Sequence, residues 1–249
     1  SSKLTWLAFG GALVAALTTK GLKTDWVTGV VEDEGLFIVG RDQQARFGVH
    51  ETPLFVLIGA LGGFVLAMVV IFTSRKKIRP ALIWGYAAFE GLFIGAISAF
   101  FEFIWPGIVI QATIGTLAVV GVTLALFASG KVRASKKATK VFMIAMVGYL
   151  VFSLVNVMLM IFNVPIAGGA FGMFSEVKIF GIPLGVIIGI LVVIMAAYSL
   201  VLDFDSIQQG VRNGAPRQYA WLGAFGIMVT VVWLYVEILR ILAILRGSN

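Results

Sequence analysis

Long apolar runs separated by short connections dominate this chain and restrict it to one class of fold. A bilayer-crossing helix needs about 20 predominantly apolar residues, and the sequence offers seven candidates. The first, Leu4–Thr19, is short. The others are Pro53–Thr73, Ala81–Trp105, Gly107–Ala128, Val141–Asn163, Ile182–Asp205 and Ala220–Leu245. Only 12% of the residues are charged, about half the share in a soluble domain, which is too few to cover a water-facing surface. The expectation is an all-α integral membrane protein, one domain over residues 1–249 with seven transmembrane helices. Lys3 ahead of the first run resembles a signal-peptide start, but no convincing small-residue cleavage site follows, so the run is read as a span.

The connections set the orientation. Those after the second, fourth and sixth runs carry Arg75, Lys76, Lys77 and Arg79, then Lys131, Arg133, Lys136, Lys137 and Lys140, then Arg212 and Arg217, with no acid among them. All three fall on one side, which the positive-inside rule assigns to the cytoplasm. The N-terminus is then cytoplasmic and the C-terminus external. Residues 20–52 form a long external loop in which WVTGVV and LFIVG flank the acidic turn at Glu32, Asp33 and Glu34, a pattern compatible with a β-hairpin. The net charge of +7 follows from these loops and does not call for nucleic acid.

Several chemistries are excluded. There is no cysteine, and the one histidine, His50, lies in the long loop. Thiolate metal sites, bis-histidine haem and a membrane-embedded Ser-His pair are therefore absent. No phosphate-binding loop or dinucleotide fingerprint occurs. No lysine lies between Ala220 and Asn249, so the last helix holds no retinal Schiff base. Neither an enzyme nor a cofactor is expected.

What remains is a small set of ionisable residues inside the runs. A charge at the bilayer centre costs about 2.5–3.5 kcal/mol on insertion scales, so each needs a partner. Glu90 is the deepest, and Gly91 and Gly95 beside it form a Gly-xxx-Gly packing pair. Glu102 stands at the external end of the same run. Asp203 and Asp205 close the sixth run. Two residues apart on a helix is a rotation of about 200°, so one of them at most faces the interior. Arg212 and Arg217 are near enough in sequence to partner them. Glu237 and Arg240, three residues apart, share a face and can pair, and Arg240 is close enough to the external end to snorkel. Gln111 and Asn156 read as interhelical hydrogen-bonding residues.

The strings YAAFEGLFIGAISAFFE, MVGYLVFSLVN, SLVLDFDSIQQG and VVWLYVEILR together resemble the bacterial branch of the Bax inhibitor-1 family, also called the transmembrane Bax inhibitor motif family. The resemblance runs from about Pro53 to the C-terminus. It implies a central seventh helix wrapped by six others, in a multi-pass protein of the bacterial plasma membrane. It also implies a pH-sensitive calcium leak gated by a pair of aspartates on helices 6 and 7 near the cytoplasmic side. Phe204-Asp205-Ser206 matches the family's helix 6 context, which puts Asp205 first and Asp203 beside it. The helix 7 position falls on Glu237 when matched from Leu234-Tyr235-Val236, and on Thr230 when matched from the C-terminal end. Counted from Ala220 at 1.5 Å per residue, Glu237 is about 26 Å up the helix and Thr230 about 15 Å.

The mechanism so implied uses two adjacent acids that share one proton more readily than they hold two charges, with protons and calcium as partners and oxygen ligands suited to calcium. Two rival readings stand beside it. One is a proton-coupled transporter of a small solute with Glu90 as the coupling carboxylate. The other is a non-conducting membrane regulator of a protease or survival pathway.

Overall fold

The computed structural model describes residues 52–74, 78–162, 174 and 177–247. The first candidate span, the long loop with its possible hairpin, and Arg75, Lys76 and Lys77 lie outside the described residues. Six helices follow in order: α1 (Thr52–Thr73), α2 (Pro80–Ile104), α3 (Ile108–Ala128), α4 (Lys136–Ile161), α5 (Leu184–Arg212) and α6 (Tyr219–Gly247). Strands β1 (Lys178–Ile179) and β2 (Ile182–Pro183) form a small antiparallel hairpin ahead of α5. Five helices, α2 to α6, are long and apolar enough to cross a membrane, and the apolar stretch of α1 at Ile58–Thr73 is shorter.

Local chemistry sets the ends. Pro80 opens α2 at its first position, where the missing N–H has no helical partner to lose. The tight turn expected at Pro106 is made by Gly107, whose φ of 83° suits a residue without a Cβ. The largest departure from the expected boundaries is α5, which continues past Asp205 to Arg212. It ends at Gly214 (φ 64°), with the Ala215 amide on the Gly210 carbonyl at 2.9 Å and the Gly214 amide on the Val211 carbonyl at 3.1 Å. This double closure is a Schellman stop, and it keeps both aspartates inside the helix.

The core forms around α6. Burial covers 67% of its apolar stretch, against 44% for α5 and 22% for α2, α3 and α4. Trp233, Leu234, Leu239 and Ala243 are fully enclosed. The outer faces of α3 and α4 are the reverse: Ile110, Ile114, Leu117, Val141, Ile144 and Val151 are all more than half exposed. Such contiguous apolar surface belongs in lipid.

Helix α1 rests on α2 through glycines. A Cβ on Gly59 would lie 2.7 Å from the Phe93 amide nitrogen, and one on Gly62 would overlap the Phe89 ring. Among the described residues the expected Gly91–Gly95 packing pair has no facing helix: a Cβ at either position meets nothing within 4 Å. Gly91 sits roughly 100° and Gly95 roughly 140° round the helix from Glu90, which is turned toward α1.

The basic connections gather at one end. Arg133 donates to Gln208 near the end of α5 at 2.8 Å, and Ser74 and Arg217 line one cavity. At the other end Arg246 of α6 donates to the Pro106 carbonyl and to Gln111, each at 3.0 Å. That pairing realises the interhelical role expected of Gln111.

Candidate functional site

Two polar layers lie along the α5–α6 seam. The first is at the end carrying the basic connections. Thr230, 1% exposed, donates its hydroxyl to Asp203 Oδ2 at 2.7 Å, and Ser199 lies 3.4 Å from the same hydroxyl. One turn along α6, a Cβ on Gly226 would stand 3.1 Å from Asp203 Oδ1. The carboxylate therefore lies against the α6 backbone, in space that a side chain would fill. Asp203 also lines a cavity of about 420 Å³ between the ends of α1, α5 and α6, together with Ser74, Ser206, Arg217 and Gly223.

Asp205 does not share this position. It lies on the other side of α5 and accepts from Gln209 Nε2 at 2.6 Å. The seam carboxylate is thus Asp203, the neighbour of the residue placed first by sequence, and the α6 residue opposite it is Thr230. Arg212 and Arg217 do not pair with either aspartate, because the ion pair made among the described residues is elsewhere. Arg212 is exposed at the end of α5, and Arg217 faces the same cavity as Asp203.

That ion pair forms the second layer. Arg240 and Glu237 are both fully buried and paired one turn apart on α6, as their spacing predicted. Tyr149 of α4 completes the group: its hydroxyl donates to Glu237 Oε2 at 3.2 Å and accepts from Arg240 Nη1 at 3.1 Å. The guanidinium also sits over the Phe174 ring at 4.3 Å, a favourable cation–π contact. The expectation that Arg240 snorkels is therefore overturned. Arg240 is fully buried, with Phe174 and Tyr149 against its guanidinium, on the most enclosed of the described spans.

The register of the seam separates the layers. Glu237 Oε1 lies 3.3 Å from the point a Cβ on Gly189 would occupy. Asp205 is sixteen residues further along α5, about 24 Å at 1.5 Å per residue. The expected meeting of Asp205 with Glu237 is not made, and among the described residues no two acids are adjacent on the seam to share one proton. Each seam carboxylate instead faces its own hydroxyl, Thr230 or Tyr149.

Glu90 is buried at 5% exposure, with Oε2 held 3.1 Å from the Cβ position of Gly63 on α1. It is not one of the cavity residues. Glu102 accepts from the amides of Gly107 at 2.7 Å and Val109 at 3.0 Å, so it caps the start of α3. Among the described residues no three acidic or histidine side chains are grouped to hold a metal ion.

The sequence did not single out Tyr149, Phe174, Ser199 or the Ser98–Tyr235 hydroxyl contact at 2.6 Å. One signal was present: Tyr149, Ser153 and Asn156 recur at helical spacing and all face inward. A family model described as Bax inhibitor 1 like matches residues 12–247. No curated protein and no solved structure matches the chain.

Proposed function

The chain belongs to the Bax inhibitor 1 like family, and on that premise we propose that it is a proton-regulated cation leak of a bacterial plasma membrane, with calcium and protons as its partners. In this reading Leu4–Thr19 is the first of seven spans, the basic connections and the N-terminus are cytoplasmic, and the C-terminus is external. The observation that carries it is the hydrogen bond from Thr230 to Asp203 across the α5–α6 seam, beside the cavity at the basic end.

The chemistry follows from one carboxylate. A hydroxyl bonded to an ionised acid makes a charge-assisted contact that is stronger than the one it makes with a neutral acid. With Asp203 ionised, Thr230 ties α6 to α5, and the cavity presents a negative group to cations entering from the basic end. Protonation loosens the tie, removes the attraction, and lets the seam rearrange. Beyond it the buried Arg240–Glu237–Tyr149 group closes the same seam and places a guanidinium in the path of a cation. Among the described residues one acid, Asp203, serves the layer at the basic end, so in this reading regulation rests on a single titration instead of a shared proton.

Liposomes loaded with a calcium indicator test this. Flux that varies with pH in the native protein, and is fixed at its acidic-limb level in Asp203→Asn, supports the reading. An Asp203→Asn protein with the native pH profile overturns it. Glu90, buried against Gly63 on α1, favours a second reading, proton-coupled transport of a small solute. Solute-driven proton uptake that disappears in Glu90→Gln, without calcium flux, would replace the first reading with this one.

A further inference from the structure

The β1–β2 hairpin breaks a rule of turn chemistry. Its two central residues, Phe180 and Gly181, have φ of 53° and 81°. Two-residue hairpin turns with both φ values positive favour Asn-Gly or Asp-Gly, and a bulky side chain in the left-handed region is a genuine outlier. Yet Phe180 is 100% exposed, so no packing among the described residues repays the strain. The neighbours continue the anomaly. Ile179 and Ile182 pair across the strands and are 41% and 47% exposed, and Lys178 beside them is exposed as well. Strands of two residues are too short to hold a hairpin in water by themselves.

Position explains what such a tip is for. Pro183 at its base is buried, and the Leu184 amide bonds the Val177 carbonyl at 2.7 Å. Helix α5, the most apolar of the five long described spans, therefore starts directly from the hairpin. A Cβ on Gly185 would meet Ile244 of α6 at 2.6 Å, which puts this end with the Arg246–Pro106 contact and opposite the basic connections. Two isoleucines and a phenylalanine with one adjacent lysine form an apolar tip with a snorkelling cation, the composition of an interfacial anchor.

We propose that the hairpin is a bilayer anchor, with Phe180, Ile179 and Ile182 seated in the headgroup–acyl boundary and Lys178 reaching the headgroups. The strained turn aims the phenyl ring away from the protein and into lipid. The anchor fixes the depth of α5 at the end opposite Asp203, and it stands independently of the leak reading.

The chain has no cysteine, so Phe180→Cys accepts a single nitroxide label. In nanodiscs of phosphatidylcholine and phosphatidylglycerol, the label at 180 should collide more with oxygen than with a water-soluble nickel chelate. A reference label in Asn213→Cys, at the basic end, should show the reverse order. Labelling through Ile182→Cys repeats the reading with the native turn intact, and adding Phe180→Asn should raise nickel access there severalfold. Nickel access at 180 and 182 equal to that at 213 overturns the proposal. So does shielding from both reagents, which would mean that protein covers the tip.

Discussion

At Arg240 the balance of burial and pairing is most exposed to test. A fully buried ion pair contributes little net stability, but removing one partner leaves an uncompensated charge at a cost of about 3–5 kcal/mol. Glu237→Gln should therefore lower the detergent unfolding midpoint sharply, and the double substitution Glu237→Gln with Arg240→Met should restore most of it. Equal damage in single and double variants would show that packing around Phe174 matters more than charge. Thr230→Val is the matching probe of the layer at the basic end. It removes a hydrogen bond to a charged group, a loss of about 1.5–3 kcal/mol, so it should lower the unfolding midpoint and also shift the pH response of flux. Much of this was legible in sequence. The i,i+3 spacing of Glu237 and Arg240 announced their pair, and Thr230 was one of two candidate partners. What the residues did not announce was which aspartate faces the seam. Two acids one residue apart look alike until the rotation of α5 is known, and that rotation depends on Gly189 and Gly226 meeting the facing helix.

Among the elements, two pairs of glycines make opposite predictions. Gly59→Ala should destabilise the α1–α2 contact, because its Cβ would lie 2.7 Å from the backbone of Phe93 and backbone cannot yield cheaply. Gly91→Ala meets nothing among the described residues, so it should be neutral or add about 0.5–1 kcal/mol through helix propensity. Unfolding midpoints of the two variants check both signs. Among the described residues the close approach is made by Gly59 and Gly62 and not by the motif's Gly91 and Gly95, because glycine spacing marks where close approach is possible, not which face has a neighbour. Glu102 teaches a related lesson. It looked like an isolated acid at a membrane edge, but its carboxylate caps α3. Glu102→Ala should cost about 1 kcal/mol, as other cap removals do.

The whole molecule was the most legible scale, because lipid imposes strict requirements on length and backbone bonding. Five runs returned as helices long enough to span, and the last proved the most enclosed. The polar seam was less legible, since hydropathy reports how greasy a helix is and not which of its faces meets α5. One consequence belongs to this scale. The basic connections share an end, so a single cysteine at Lys137 should react with a thiol reagent only from the cytoplasmic side, and one at Asn249 only from outside. The central claim is that the seam carboxylate at the basic end, Asp203, sets cation passage. Its most direct measurement is calcium efflux from liposomes between about pH 6 and 8, with the native chain, Asp203→Asn and Asp205→Asn run in parallel. The account predicts a native profile for Asp205→Asn and a flat one for Asp203→Asn, and the converse assignment would contradict it.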